Sequence, residues 1–259
     1  MNRVDGKVCV VTGGTQGLGA AIARRLAEAG AAVAEAIARD TGASVQFVRA
    51  DLARVEDCRA VIAEADARFG RLDVLVNAAG LTDRGDILST SPELFDRMIA
   101  VNLRAPFFLM QDAIALMLRD GVEGSIVNIG STSERAGQPF IAPYCVSKGA
   151  LATLTRNTAF AAMRNRIRVN QLDIGWMASE NEDRVQREQM GGGDDWLERA
   201  AAGQPFGRLV DPAEVARAVA FLASADSGLM TGAVIHFDQS VWGAYAASPP
   251  VPEAPLRLG

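Results

Sequence analysis

The chain predicts an α/β fold: a doubly wound parallel sheet with helices on both faces. Short β-branched runs alternate with helical patterns along its length, an order that needs parallel strands and right-handed crossovers. A glycine cluster stands between the first such run and the first helix. The 259 residues are 49% hydrophobic and 22% charged, enough to bury a core without covalent staples.

The first strand is read at residues 7–12 (K-V-C-V-V-T), a β-rich run that stops at Gly13-Gly14. In the helix that follows, Leu18, Ile22 and Leu26 share one face and Arg24, Arg25 and Glu28 the other, with Gly30 as its C′ stop. Further strands are expected at residues 45–49, 74–77, 126–129, 167–172 and 233–237, with helices between them. The apolar stretch 92–119 contains Pro106, which should kink or restart its helix. Residues 179–204 are polar, with Gly191-Gly192-Gly193 in the middle and Trp196 just after, and read as a flap of short helices around a glycine hinge. The segment 245–259 reads as an extended, proline-rich tail. No repeat and no internal linker divides the chain, so residues 1–259 are expected to form one domain.

Composition narrows the function. Lys plus Arg is 26 against 31 Asp plus Glu, a net charge of −5 without a basic tract, so no nucleic-acid partner is expected. Cys9, Cys58 and Cys145 are too few and too scattered for a disulfide framework, and with one histidine, His236, no metal site is expected. The cysteines read as packing residues and His236 as a satisfied structural histidine. No apolar run approaches the ~18 residues of a membrane span, and the start lacks a signal-type stretch. A cytoplasmic protein without a membrane partner is expected.

Two motifs carry chemistry. Thr12-Gly13-Gly14-Thr15-Gln16-Gly17-Leu18-Gly19 reads T-G-x-x-x-G-x-G. Glycines there permit a tight turn and close backbone approach, and the helix N-terminus then offers N–H groups to a diphosphate. Tyr144 and Lys148 stand at i and i+4, one face of a helix. An ammonium beside a phenol favours the phenolate, which suits proton exchange with an alcohol or carbonyl. Ser131 follows a strand, 13 residues before Tyr144, placed to hydrogen-bond the same substrate oxygen.

Together these features resemble the short-chain dehydrogenase/reductases in their single-domain form, from Lys7 to about Asp238. Further motifs follow in the family's order: Asp51-Leu52, Asn77-Ala78-Ala79-Gly80 and Asn102. The resemblance implies a Rossmann-type sheet and hydride transfer between a nicotinamide cofactor and a secondary alcohol or ketone. It implies that Asn102, Ser131, Tyr144 and Lys148 are catalytic. Tyr144 would exchange the proton, Ser131 would hold the substrate oxygen, Lys148 would hold the ribose and depress the tyrosine pKa, and Asn102 would fix a relay water. The cofactor would lie on Gly13, Thr15, Gln16, Gly17, Leu18 and Gly19, with Asp51 and Leu52 near adenine and Asn77, Ala78, Ala79 and Gly80 along the groove. Gly175 and Met177 would reach the nicotinamide end beside Tyr144 and Lys148. The family's usual Pro-Gly is Ile174-Gly175 here, which puts local rigidity in doubt. Gln16 before the middle glycine of the motif leans towards NAD over NADP. A homotetramer or homodimer is implied, through residues 105–118 and the helix after Tyr144.

Ser133, Glu134 and Gln138 lie between Ser131 and Tyr144, and with the charged flap they favour a small polar substrate such as a polyol or sugar. Ser131, Ser133, Gln138, Tyr144 and Trp176 are the substrate-site candidates, although a lone tryptophan more often caps a core. The alternatives are a catalytically silent nicotinamide-binding regulator or scaffold, and a 3-oxoacyl thioester reductase.

The connection after the first helix is short. From Gly13 to Asn77 the chain counts 64 residues, against about 75 in the family that it resembles. Only Ala31-Ala32-Val33 lie between Gly30 and the next helical pattern. Three residues reach ~10 Å at ~3.3 Å each, short of a strand of ~17 Å. Roughly ten residues are therefore expected to be missing here, as if a mobile loop had been left out, together with the acidic residue that would bind the adenosine ribose.

Overall fold

A computed structural model describes residues 4–14, 17–28, 46–135, 137–188 and 190–244. Five parallel strands form its sheet in chain order: β1 (Cys9–Val11), β2 (Val74–Asn77), β3 (Ser125–Ser131), β4 (Arg168–Ile174) and β5 (Val234–Phe237). Parallel neighbours cannot be joined by tight turns, and helices make the crossovers. α1 (Gly17–Glu28) and α2 (Val55–Phe69) lie between β1 and β2, and α3 (Pro92–Ile99) and α4 (Ala105–Asp120) between β2 and β3. α5 (Ala142–Ala162) joins β3 to β4, and α6 (Glu180–Glu188), α7 (Trp196–Ala202) and α8 (Pro212–Ala223) precede β5.

Period-two alternation sends neighbouring strand residues to opposite layers. Val74, Val76, Val127, Ile129 and Leu172 pack on α1 and α8 through Ile22, Leu26, Val215 and Val219. Leu75, Ile126 and Val169 pack on α2, α4 and α5 through Ile62, Leu109, Met117 and Ala159. Ile22 and Leu26 are fully buried, each contributing about 1.5–3 kcal/mol relative to exposure. Local signals agree with these layers. Ser91 and Asp211 cap the N-termini of α3 and α8, each followed by a proline whose missing N–H costs nothing there. Gly70 and Gly121 close α2 and α4 at φ of 70° and 64°.

Two expectations change. Residues 46–49, read as strand, are not one: this segment is separated from β1 by a cavity of about 310 Å³ lined by Val8–Gly14, Gln46–Ala50 and α2, and a strand without a ladder partner does not form. Among the described residues, no strand covers that edge of β1. At Pro106 the α-helix restarts as expected: α3 passes through a π-helical turn, Ala100–Arg104, into α4, which begins at Ala105 with Pro106 in its first turn. Pro92–Asp120 is thereby long and apolar enough to cross a membrane, but its apolar face packs on the sheet, with Met98, Leu109, Met110 and Met117 buried. The short connection at residues 30–36 and the tail at 245–259 lie outside the described residues.

Candidate active site

The glycine turn sits where β1 meets α1. Gly13 has φ +70°, and a Cβ there would lie 3.1 Å from Ala79 Cα. A Cβ on Gly19 would lie 2.2 Å from the Gly13 carbonyl oxygen, so a hydrogen at this position lets the turn fold onto the first turn of α1. Thr12 Oγ1 accepts the N–H groups of Ala78 and Ala79, each at 3.1 Å, which ties N-A-A-G to the turn. The backbone thus forms a cradle at a helix N-terminus, the form that accepts a dinucleotide diphosphate. Leu18 is buried in the core and can offer only its backbone, as can Gly17. Thr15 and Gln16 lie outside the described residues. Asp51 is exposed and caps its own turn by accepting the Ala53 N–H at 3.0 Å, while Leu52 lines the cavity beside β1.

The catalytic candidates gather at the C-terminal ends of β3 and β4. Tyr144 and Lys148 share one face of α5, with Lys148 Nζ 5.6 Å from the phenol ring centre. Lys148 is buried, and Nζ donates to Ile129 O at 2.8 Å. Burial pushes its pKa down to about 8, opposed by the negative charge of Asp173. Burial pushes the Tyr144 phenol up to about 12; a hydrogen bond with Ser131 works against this, and Cys145, Asp173 and Glu182 add to it. The expected depression of the tyrosine pKa is therefore outweighed by desolvation. Ser131 Oγ donates to Ser133 Oγ at 3.0 Å, and Ser133 Oγ donates in turn to Gln138 Oε1. Ser133 is buried behind Ser131 instead of on the rim, and Gln138 is exposed.

Asn102 lies in the π-helical turn. Its Oδ1 accepts the Leu81 N–H at 2.8 Å, and Nδ2 donates to Leu81 O at 2.9 Å and Ser147 Oγ at 3.1 Å. It clamps the chain after N-A-A-G to the start of α5. Gly80 is exposed to the groove, and a Cβ there would make ordinary contact with Asn102 Oδ1 at 3.5 Å and Lys148 Nζ at 3.7 Å. The Asn77 side chain is buried away from this groove and donates to Asn128 Oδ1 at 2.8 Å.

After β4, Ile174 keeps the strand intact where a proline would end the ladder. It pairs with Ser131 and Phe237. Gly175 is required by close approach, since a Cβ would meet Asp238 Cβ at 2.6 Å. Met177 bridges to Val210, whose bonds run to Trp176 O and Ala178 N, which turns Met177's own N–H and C=O the other way. Trp176 does not cap a core: it is 43% exposed, and its indole N–H donates to Glu182 Oε1 at 2.9 Å. Trp196 on the flap is buried and donates to Asp183 Oδ1 at 2.6 Å.

The sequence reading missed a buried polar row. Asn77, Asn128, Thr155, Gln171 and Asp173 hydrogen-bond in succession across the sheet. Their signal was polar residues inside runs that otherwise read as strands. His236 is not satisfied: Nε2 meets Arg135 Nη2 at 2.8 Å, while buried Nδ1 has no partner.

A glycine cradle, an open groove floor and a Ser-Tyr-Lys group at the strand ends define a nicotinamide-dependent oxidoreductase of the doubly wound type. Residues 13–240 match the family model adh_short_C2, described as enoyl-(acyl carrier protein) reductase. Galactitol 2-dehydrogenase of Agrobacterium fabrum is 30% identical over 93% of this chain and 99% of its own. A 3-beta-hydroxysteroid dehydrogenase of Comamonas testosteroni is 34% identical over 93% and 98%. The structure of an NAD+-bound xylitol dehydrogenase superposes with a TM-score of 0.83 at 29% identity, covering 91% of this chain and 99% of that one. The chain belongs to the short-chain dehydrogenase/reductase family.

Proposed function

We propose that the protein interconverts a small polar secondary alcohol, a polyol or sugar, and its ketone, using NAD in preference to NADP. The observation that carries the proposal is the convergence of Ser131, Tyr144 and Lys148 beside the open Gly80 backbone. When bound, the nicotinamide gives or accepts the hydride. The chain's own groups handle the oxygen and its proton. Ser131 Oγ and the Tyr144 hydroxyl hold the substrate oxygen. In reduction, the phenol donates its proton to the forming alkoxide, and a pKa of about 12 suits it as the acid. In oxidation the phenolate takes the hydroxyl proton, and the Lys148 ammonium stabilises the charge left on the phenolate. The backbones of Gly13, Gly17, Leu18, Gly19, Ala78, Ala79 and Met177 and the side chain of Lys148 would hold the cofactor.

The polar substrate is supported by the half-buried Glu134, the exposed Gln138 and the Trp176–Glu182 pair, together with the polyol names of two relatives. The steroid name of a third makes the choice testable. Turnover on galactitol, xylitol and sorbitol above that on 3-hydroxysteroids and 3-oxoacyl thioesters is expected, and the reverse order overturns it. A homotetramer or homodimer is part of the proposal. Phe107 and Leu118 on α4 and Phe160 on α5 are 46%, 49% and 79% exposed, and exposed apolar faces of this kind suit a partner copy.

A further inference from the structure

We infer that Asp173 is a positioning residue of the catalytic site, whose buried carboxylate is the counter-charge that keeps the Lys148 ammonium protonated. The inference rests on the reading of Lys148 as a catalytic ammonium.

Asp173 is fully buried near the end of β4, next to Gly130 on β3 and His236 on β5. Its place is cut out by Gly130. A Cβ on that residue would lie 1.8 Å from Asp173 Oδ1, so any larger residue there would evict the carboxylate. Gln171 Nε2 holds Oδ1 at 2.6 Å, and Gln171 Oε1 is fixed by Thr155 at 3.1 Å. Oδ2 has no hydrogen-bond partner. A buried carboxylate held only by the Gln171 amide and the Ser131 backbone N–H is poorly compensated unless a cation is near. That cation is Lys148, whose Nζ sits on the carbonyl of Ile129, the residue before Gly130. Lys148 has the complementary need, being buried itself. The Ile129 carbonyl and the negative charge of Asp173 support its charge against desolvation.

The titratable and charged groups around Asp173 are Glu134 and Arg135 after β3, Tyr144 and Lys148 on α5, and His236 on β5. Glu134, Asp173 and His236 bring their ligand atoms within 4.8 Å of one another, which resembles a cation site. The Arg135 guanidinium argues otherwise. It lies 2.8 Å from His236 Nε2 and 3.4 Å from Glu134. A guanidinium can only donate, so Nε2 must accept, and the ring proton stays on Nδ1. That leaves no lone pair on Nδ1 for a metal. It leaves instead an unpartnered donor on His236 and an unpartnered acceptor on Asp173, side by side on paired residues. Among these groups the charge of Glu134 opposes ionisation of Asp173 and that of Lys148 favours it.

Lys7 and Lys148 are the only lysines in the chain, so NMR of protein labelled with 13C at lysine Cε reads Lys148 directly, without substrate or cofactor. In Asp173→Asn, the Lys148 midpoint is expected to fall by about one pH unit or more while Lys7 stays put. In wild type, and in His236→Gln, the Lys148 signal should carry a second inflection near pH 6, where Asp173 titrates. An unchanged or higher Lys148 midpoint in a folded Asp173→Asn protein overturns the inference. So does the absence of the second inflection in wild type, a test that needs no variant to fold. Neither result depends on turnover. Loss of the catalytic reading would show instead as full activity in Tyr144→Phe.

Discussion

Gly19→Ala sets two physical effects against each other. Gly19 is in the first turns of α1, and by helix propensity alone alanine would stabilise the helix by up to about 0.8–1 kcal/mol. Its Cβ, however, would stand 2.2 Å from the carbonyl oxygen and 2.6 Å from the carbonyl carbon of Gly13. These are backbone atoms, so no rotamer change relieves the clash; the turn must slide by about 1 Å, at an overpacking cost of about 1–3 kcal/mol. Sliding also strains the two Thr12 bonds to Ala78 and Ala79, each contributing about 1 kcal/mol. The net expectation is a loss of about 1–3 kcal/mol. For a chain of this size that lowers Tm by about 2–12 °C. Thermal unfolding followed by circular dichroism measures it, and NADH fluorescence titration should show affinity falling at least about tenfold, a loss of 1.4 kcal/mol. A variant with a raised Tm and unchanged NADH affinity would refute the claim that the glycine is held there by close packing of the turn.

Tyr144→Phe should lower kcat by ~10²–10⁴-fold with little change in cofactor affinity, whereas Lys148→Ala should damage both; steady-state kinetics separates them. The Asp173 carboxyl is raised to about 6 by burial, so the stability of its neutral form is full below about pH 4 and lost as pH rises through about 6. Asp173→Asn removes that loss, and its Tm relative to wild type should climb between pH 4 and pH 7; a flat difference would count against the shift. Light scattering should give a mass above one chain, and a monomer would refute the assembly proposed for α4 and α5. Michaelis constants should favour NAD, and a lower constant for NADP would reverse the preference read from Gln16.

The sequence determined the strands β2 to β5, the glycine turn and the Tyr144–Lys148 face, because each rests on local patterning: period-two alternation, turn residues and i, i+4 spacing. It also anticipated the short helices on either side of Gly191-Gly192-Gly193. It could not decide what lies between elements. Residues 46–49 have strand composition, yet pairing is a property of two chains of backbone, and the partner edge of β1 is out of reach. The restart at Pro106 was legible in the sequence, but the π-helical turn before it was not; there Asn102 is clamped to Leu81, 21 residues away. The tyrosine pKa turned on burial, which no spacing reports. Asp173 passed as one polar residue at a strand end. Only the register of β3, β4 and β5 set it against Gly130 and His236, since electrostatics depends on distances through space that chain order does not encode.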